Sequence, residues 1–286
     1  MTVRPAVWGW LLLAAGCVHP PPEDAGPYNS VASDEKRLAV AEGWLQGTSI
    51  GRSTGLPVVM VHGLGGNHHF FDAQIDHLKG RRKVLAFDLR GCGGSSTSPR
   101  GLYDIDTLAR DLRAVLDVFG ERAVLVGHSL GANVVARFAE QNPTRAAALV
   151  LIDPPGDVRQ PASALAAELQ SKDDPGFRTA MDQFFEPLLK GARPATRETV
   201  LTSLHASRRE VLEAMLTSLG AWNPAPILVG YSGPVVTIVG QEYQSSLHPA
   251  DSRIRVVAVT DSSQWPMLDQ PGQVNAVLDD VLATAR

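Results

Sequence analysis

Six short apolar runs punctuate the chain, at 57–62 (PVVMVH), 83–88 (KVLAFD), 122–127 (RAVLVG), 148–153 (ALVLID), 234–239 (PVVTIV) and 253–260 (RIRVVAVT). They are β-branched and lack polar alternation, which predicts parallel strands buried on both faces. Between them, apolar residues recur at helical spacing at about 70–79, 105–119, 130–141 and 272–285. Strand and helix in alternation predict an α/β fold with a doubly wound, mostly parallel sheet. Residues 38–50 predict one or two antiparallel edge strands ahead of it.

The alternation breaks once. Between Asp153 and Pro234 the chain carries helical patterns around 161–171, 176–190, 195–205 and 207–219 and no convincing strand. An insertion over the C-terminal edge of a sheet is the expected place for a lid, because ligands bind at that edge. The predicted layout is a sheet core at 36–154 and 227–286, with a helical lid at 155–226.

The chain has 286 residues, of which 44% are hydrophobic and 20% charged. That is enough to bury a large core without metal or disulfide support. A formal net charge of −4 gives no electrostatic basis for binding nucleic acid. No apolar run reaches the roughly 18 to 20 residues of a membrane span. The start, MTVRPAVWGWLLLAAGC, has one cation at Arg4, an apolar stretch from Ala6 to Ala15 and small residues before Cys17. This is the layout of an export signal. Its ending, Leu13-Ala14-Ala15-Gly16-Cys17, resembles a bacterial lipobox, in which the cysteine is acylated and becomes the new N-terminus. Residues 1–16 are then the signal peptide and 17–35 a tether, Pro-rich at 20–22. The expected location is the bacterial cell envelope, with the membrane as a partner through the lipid. Of the two cysteines only Cys92 then keeps a free thiol, and no intramolecular disulfide is available.

Three loops carry chemistry. Gly127-His128-Ser129-Leu130-Gly131 follows one predicted strand and opens a helix. Glycines on both sides of Ser129 permit the sharp turn that lifts its hydroxyl above the sheet. The helix N-terminus favours negative charge there. His62-Gly63-Leu64-Gly65-Gly66 follows another strand. Its Leu64 N–H, with that of Leu130, is placed to form an oxyanion hole. His62, His68, His69 and His128 lack metal-site spacing with a nearby third ligand, so neither a metal nor another cofactor is expected.

In this order, HG-x-x-G at 62–66, FDLRGCGGSS at 87–96 and GHSLG at 127–131 resemble the α/β-hydrolase superfamily over about 38–286, in its lid-bearing, esterase- or lipase-like form. The resemblance implies a Ser129 nucleophile, an acid after a late strand and a histidine after the last strand. The chain departs from that pattern at one position. Where the family has His-aromatic-Pro-x-Leu-Glu/Asp-x-Pro, residues 264–271 read Gln264-Trp265-Pro266-Met267-Leu268-Asp269-Gln270-Pro271. A glutamine amide orients groups by hydrogen bonding but takes no proton near neutral pH. The acid is Glu242 after the strand 234–239, or Asp153 after 148–153. His205, His68 and His69 are considered as substitute bases, and His248 lies near the wrong sheet edge. Asp88 and Arg90 are expected to hold a loop, and Trp265 and Leu268 to pack the last helix rather than line the pocket. The resulting expectation is a membrane-tethered serine hydrolase of small-molecule ester or acyl substrates, impaired by Gln264. The alternative is a non-catalytic ligand-binding protein on the same fold.

Overall fold

The computed structural model describes residues 35–51, 55–120, 122–223, 228–240 and 254–285. The expected signal peptide, Cys17, Glu242 and His248 lie outside these residues. Glu35, expected to end the tether, opens the first strand.

Eight strands form one sheet, β1 (Glu35–Val40), β2 (Gly43–Ile50), β3 (Val58–Val61), β4 (Val84–Phe87), β5 (Ala123–His128), β6 (Ala146–Ile152), β7 (Val235–Gly240) and β8 (Ile254–Val259), in the order β1-β2-β4-β3-β5-β6-β7-β8. β1 and β2 form an antiparallel hairpin and β2 joins β4 antiparallel, whereas all pairs from β4 to β8 are parallel. Every residue of β3, β4, β5 and β6 is buried, so both faces of the sheet centre are covered. One expectation fails at the margin. β8 reads as a doubly buried strand, but it is the sheet edge, and Val256 is 49% exposed.

A 3-10 turn at His68–Phe71 leads into α1 (Asp72–Leu78), and α2 (Ile105–Phe119) and α3 (Leu130–Gln141) follow β4 and β5. α2 shows how the sequence sets its bounds. The Asp104 side chain caps its start by accepting from Thr107 N–H at 2.8 Å, and Gly120 ends it. Ile105, Leu108, Leu112, Val115, Leu116 and Phe119 form its buried stripe, each contributing about 1.5–3 kcal/mol when fully removed from water. Between β6 and β7 lie α4 (Arg159–Gln170), α5 (Asp174–Phe185), α6 (Pro194–Ala206) and α7 (Arg209–Ala221), where helices were expected. The short α8 (Pro266–Asp269) and α9 (Pro271–Thr284) follow β8.

This four-helix segment is fastened to the loop after β8 at two points. Arg193 N–H donates to Asp269 Oδ1 at 2.8 Å, and Gln264 N–H donates to the Leu188 carbonyl at 3.2 Å. Among the described residues no helix is long and apolar enough to cross a membrane.

The tightest constraint lies where α3 meets the sheet. A Cβ at Gly131 would sit 2.2 Å from the Val61 carbonyl oxygen and 2.5 Å from that of His62. Both obstacles are backbone and cannot swing away. Gly131→Ala is therefore expected to cost about 3 kcal/mol. Gly272→Ala, where a Cβ meets nothing within 4 Å, should be neutral or slightly stabilising. Denaturant unfolding of the two variants checks the contrast.

Candidate active site

Ser129 sits at φ 50° and ψ −119° between β5 and α3, its N–H donating to the Ile152 carbonyl and its carbonyl accepting from Ala132 N–H. A non-glycine residue held there carries roughly 1–3 kcal/mol of strain. It is held by the close packing of both glycines, since a Cβ on Gly127 would lie 2.3 Å from the Gly131 carbonyl oxygen. The Ser129 hydroxyl has no hydrogen-bond partner among the described residues and stands at the N-terminus of α3. The neighbouring loop comes close, for a Cβ on Gly63 would be 2.9 Å from Ser129 Cβ. Neither the Leu64 nor the Leu130 N–H has an acceptor among the described residues. The predicted oxyanion donors thus flank the predicted nucleophile, unoccupied by internal bonds.

His62 shapes that loop. Its Nδ1–H donates to the Gly63 carbonyl at 2.8 Å and its Nε2 accepts from Leu89 N–H at 2.9 Å, which defines a neutral tautomer. Burial lowers its pKa in keeping with that state. Asp88 and Arg90 hold loops, as expected. Asp88 accepts from the backbone N–H groups of His68 and Gly94, and Arg90 makes a two-pronged, buried ion pair with Asp111 at 2.6 Å. Cys92 is buried, and desolvation pushes its thiol far up, so it is no nucleophile.

Gln264 is where the motif comparison places the missing base. Its backbone is clamped twice, through its N–H to Leu188 and through its carbonyl, which accepts from His128 Nε2 at 2.9 Å. The preceding Ser263 donates both its N–H and its hydroxyl to Asp269 Oδ2, at 2.9 and 2.6 Å. The Gln264 side chain faces the same cavity as Ser129 and makes no hydrogen bond among the described residues.

The substitute bases do not reach this cavity. His68 is bound to Asp88 and Glu35, His69 to Asp72, and His205 to Asp182 at 2.6 Å on the surface. None of the three lines the cavity. His128 does line it. Because its Nε2–H is given to the Gln264 carbonyl, Nδ1 carries a lone pair, and this buried nitrogen has no partner. Desolvation first, and the neighbouring His62, drop its pKa to about 4. It is a polar contact for a bound donor and a poor proton acceptor.

The cavity measures about 180 Å³ and is apolar apart from Ser129, His128 and Gln264. The four-helix segment supplies most of its wall, including Val158, Phe184, Leu188, Leu216 and Leu219. Trp265 corrects an expectation. It does line the cavity, because its ring is held against Phe185 at 5.8 Å and tilted on His128, while Leu268 packs at the core margin as expected. The sequence carried no signal for the lining residues of the inserted helices, since amphipathic spacing marks a buried face without saying what it faces.

Of the two candidate acids only Asp153 is described. It directly follows β6 at φ 40°, is wholly buried, and both its oxygens lie 3.1 Å from the Gly240 nitrogen at the end of β7. Burial, only partly offset by that donor, raises its pKa well above the usual carboxylate range. No basic side chain pairs with it among the described residues. This carboxyl ties β6 to β7, and burial that disfavours its charged form makes it poorly suited to orient an imidazolium. Between the ordinary carboxylate pKa and its raised folded value, the unfolded chain has lost a proton the folded chain keeps. Stability therefore falls as pH rises through that window, at up to ~1.4 kcal/mol per unit. Asp153→Asn should remove the slope and be more stable than the parent at pH 7, with the difference vanishing near pH 3. Thermal melts across pH 3–8 test this.

Three comparisons bear on this geometry. A family model described as alpha/beta hydrolase fold matches residues 57–244. An uncharacterized protein of Mycobacterium tuberculosis is 35% identical over 133 residues, which is 46% of this chain and 38% of that protein, so the chain matches well under half the length of that relative. Human (lyso)-N-acylphosphatidylethanolamine lipase is 25% identical over 79% of this chain and 78% of its own. A hydrolase structure from Pseudomonas aeruginosa PA01 superposes with a TM-score of 0.77 at 23% identity, covering 88% of this chain and all of that one. The strand order, the strained Ser129 turn and the family match agree: the chain belongs to the alpha/beta hydrolase fold family.

Proposed function

We propose that the protein is a serine hydrolase of ester or related acyl bonds whose turnover is limited by Gln264. The observation that carries this reading is that Ser129 and Leu64 line one apolar cavity, with the Ser129 hydroxyl and the Leu64 and neighbouring Leu130 N–H groups all unengaged by internal bonds among the described residues. In this mechanism Ser129 Oγ attacks the substrate carbonyl carbon, and the two amides receive the oxyanion. The hydroxyl proton must leave in the same step. With Gln264 in the base position it goes to solvent, so acylation is slow and depends on hydroxide. Removing the histidine of a serine protease triad costs on the order of 10⁶ in kcat, while oxyanion hole and binding retain about 10³–10⁴ over water. The helices α4 to α7 act as the lid, and their apolar wall selects an acyl or similar hydrocarbon group. Glu242 remains the proposed acid, because burial disfavours the charged form of Asp153.

The motif at Leu13–Cys17 supports an envelope location with Cys17 as the lipid attachment point. Metabolic labelling with a fatty-acid analogue in a bacterial host is expected to mark the parent chain and to be lost in Cys17→Ala.

The decisive experiment compares p-nitrophenyl esters of several chain lengths. Gln264→His is expected to raise kcat at least about a hundredfold over the parent, and Ser129→Ala added to it should abolish the gain. A fluorophosphonate should label Ser129 in Gln264→His much faster than in the parent. Absence of any Ser129-dependent gain would sink the hydrolase reading in favour of ligand binding without catalysis.

A further inference from the structure

Outside the cavity, the structure gathers a second set of groups that sequence spacing did not reveal. Glu35 on β1 and the adjacent His68 and His69 each offer a ligand atom, and these atoms all lie within 4.8 Å of one another. His68 Nε2 and Glu35 Oε1 are 3.1 Å apart, a separation close to the edge of a tetrahedral shell around an ion with 2.0–2.1 Å bonds. The second ring nitrogen of each histidine is already committed. His68 Nδ1 is 2.8 Å from Asp88 Oδ1, and His69 Nδ1 is 3.2 Å from Asp72 Oδ2. A carboxylate on the far nitrogen is the arrangement that orients metal-binding imidazoles and makes them better donors.

The charge balance points the same way. Asp72, Asp88 and Glu35 place three carboxylates around two imidazoles, and among the described residues none of the three pairs with Lys or Arg. The only cation available within the set is a protonated histidine. Asp88 and His68 are buried, where unbalanced negative charge is costly.

We propose that Glu35, His68 and His69 form a binding site for a divalent cation of the zinc class, with Asp88 and Asp72 as the carboxylates behind the two imidazoles. Two nitrogens and one oxygen suit Zn²⁺ and its borderline neighbours, and disfavour Ca²⁺ and Mg²⁺, which prefer oxygen alone. On binding, the ion takes the place of the proton that links His68 Nε2 to Glu35. The site would fasten the β1 edge to the 3-10 turn that begins four residues beyond Leu64, and so brace the loop carrying one oxyanion donor. Occupancy does not depend on the hydrolase reading.

The test is calorimetric titration of full-length protein, stripped with a chelator, with zinc chloride alone. One equivalent is expected to bind, with Tm rising by about 5 °C or more in saturating zinc. Glu35→Gln and His69→Ala alter partly exposed positions and should each weaken binding at least about tenfold, while keeping the parent's melting curve in EDTA. His205→Ala, at a surface histidine with its own carboxylate partner, should bind like the parent. Calcium and magnesium should give no saturable heat. No zinc binding overturns the proposal, as does binding unaffected by both Glu35→Gln and His69→Ala, or binding lost in His205→Ala. Equal affinity for calcium overturns the assignment of ion class. No arm reads activity, so failure here leaves the proposed reaction standing and failure of the ester assay leaves this site standing.

Discussion

The site depends on a steric contact. Helix α3 approaches the ends of β3 and β5 so closely that only hydrogen atoms fit at Gly127 and Gly131. That approach leaves Ser129 no room to relax from its strained turn, and it sets Ser129 at the cavity wall where the helix begins. The same contact brings Gly63 against Ser129, so the proposed nucleophile and the loop carrying the Leu64 amide share one packing constraint. The strain is carried by a sheet centre whose strands are buried at every position.

Against that scaffold, Gln264 is a change of chemistry without a change of place. Its loop is assembled by Asp269, which accepts from Ser263 twice and from Arg193 across the gap to the inserted helices. Its own backbone is fixed by Leu188 and His128. None of these bonds uses the residue's side chain. The loop is therefore built to hold whatever side chain stands at 264, and the glutamine supplies an amide where proton transfer needs a nitrogen base. Oxyanion donors without a base still favour a tetrahedral, negatively charged species, but they leave the proton step to solvent.

Much of this was legible in the sequence, and what was missed follows a pattern. Local periodicity revealed the parallel strands and the four inserted helices, because burial on a regular element imposes period 2 or 3.6 or a continuous apolar run. The motifs singled out Ser129, Leu64 and Leu130 as candidates because turn geometry demands glycine at fixed offsets. Position 264 stood out because the surrounding phrase was intact. The misses concern what faces what. Trp265 reads as a packing residue, and only the placement of Phe185 and His128 shows that it also walls the cavity. β8 resembles its buried neighbours in composition, and only strand order puts it at the edge. Glu35 lies far upstream of His68, and the pairing of β1 with β2 brings them together.

Two buried ionisable groups, His128 and Asp153, are poorly suited to compensate for Gln264 in the proposed reaction. His128 is close enough to line the cavity, yet the loss of solvent, only partly offset by its bond to the Gln264 carbonyl, drops its pKa to about 4. An imidazole so weakly basic gains little by taking a serine proton. Asp153 has the opposite shift from the same cause, since burial raises a carboxyl and lowers an imidazole. In the proposed reaction, proton transfer therefore calls for a base that lines the cavity, and position 264 is one the loop already holds in place there through its backbone.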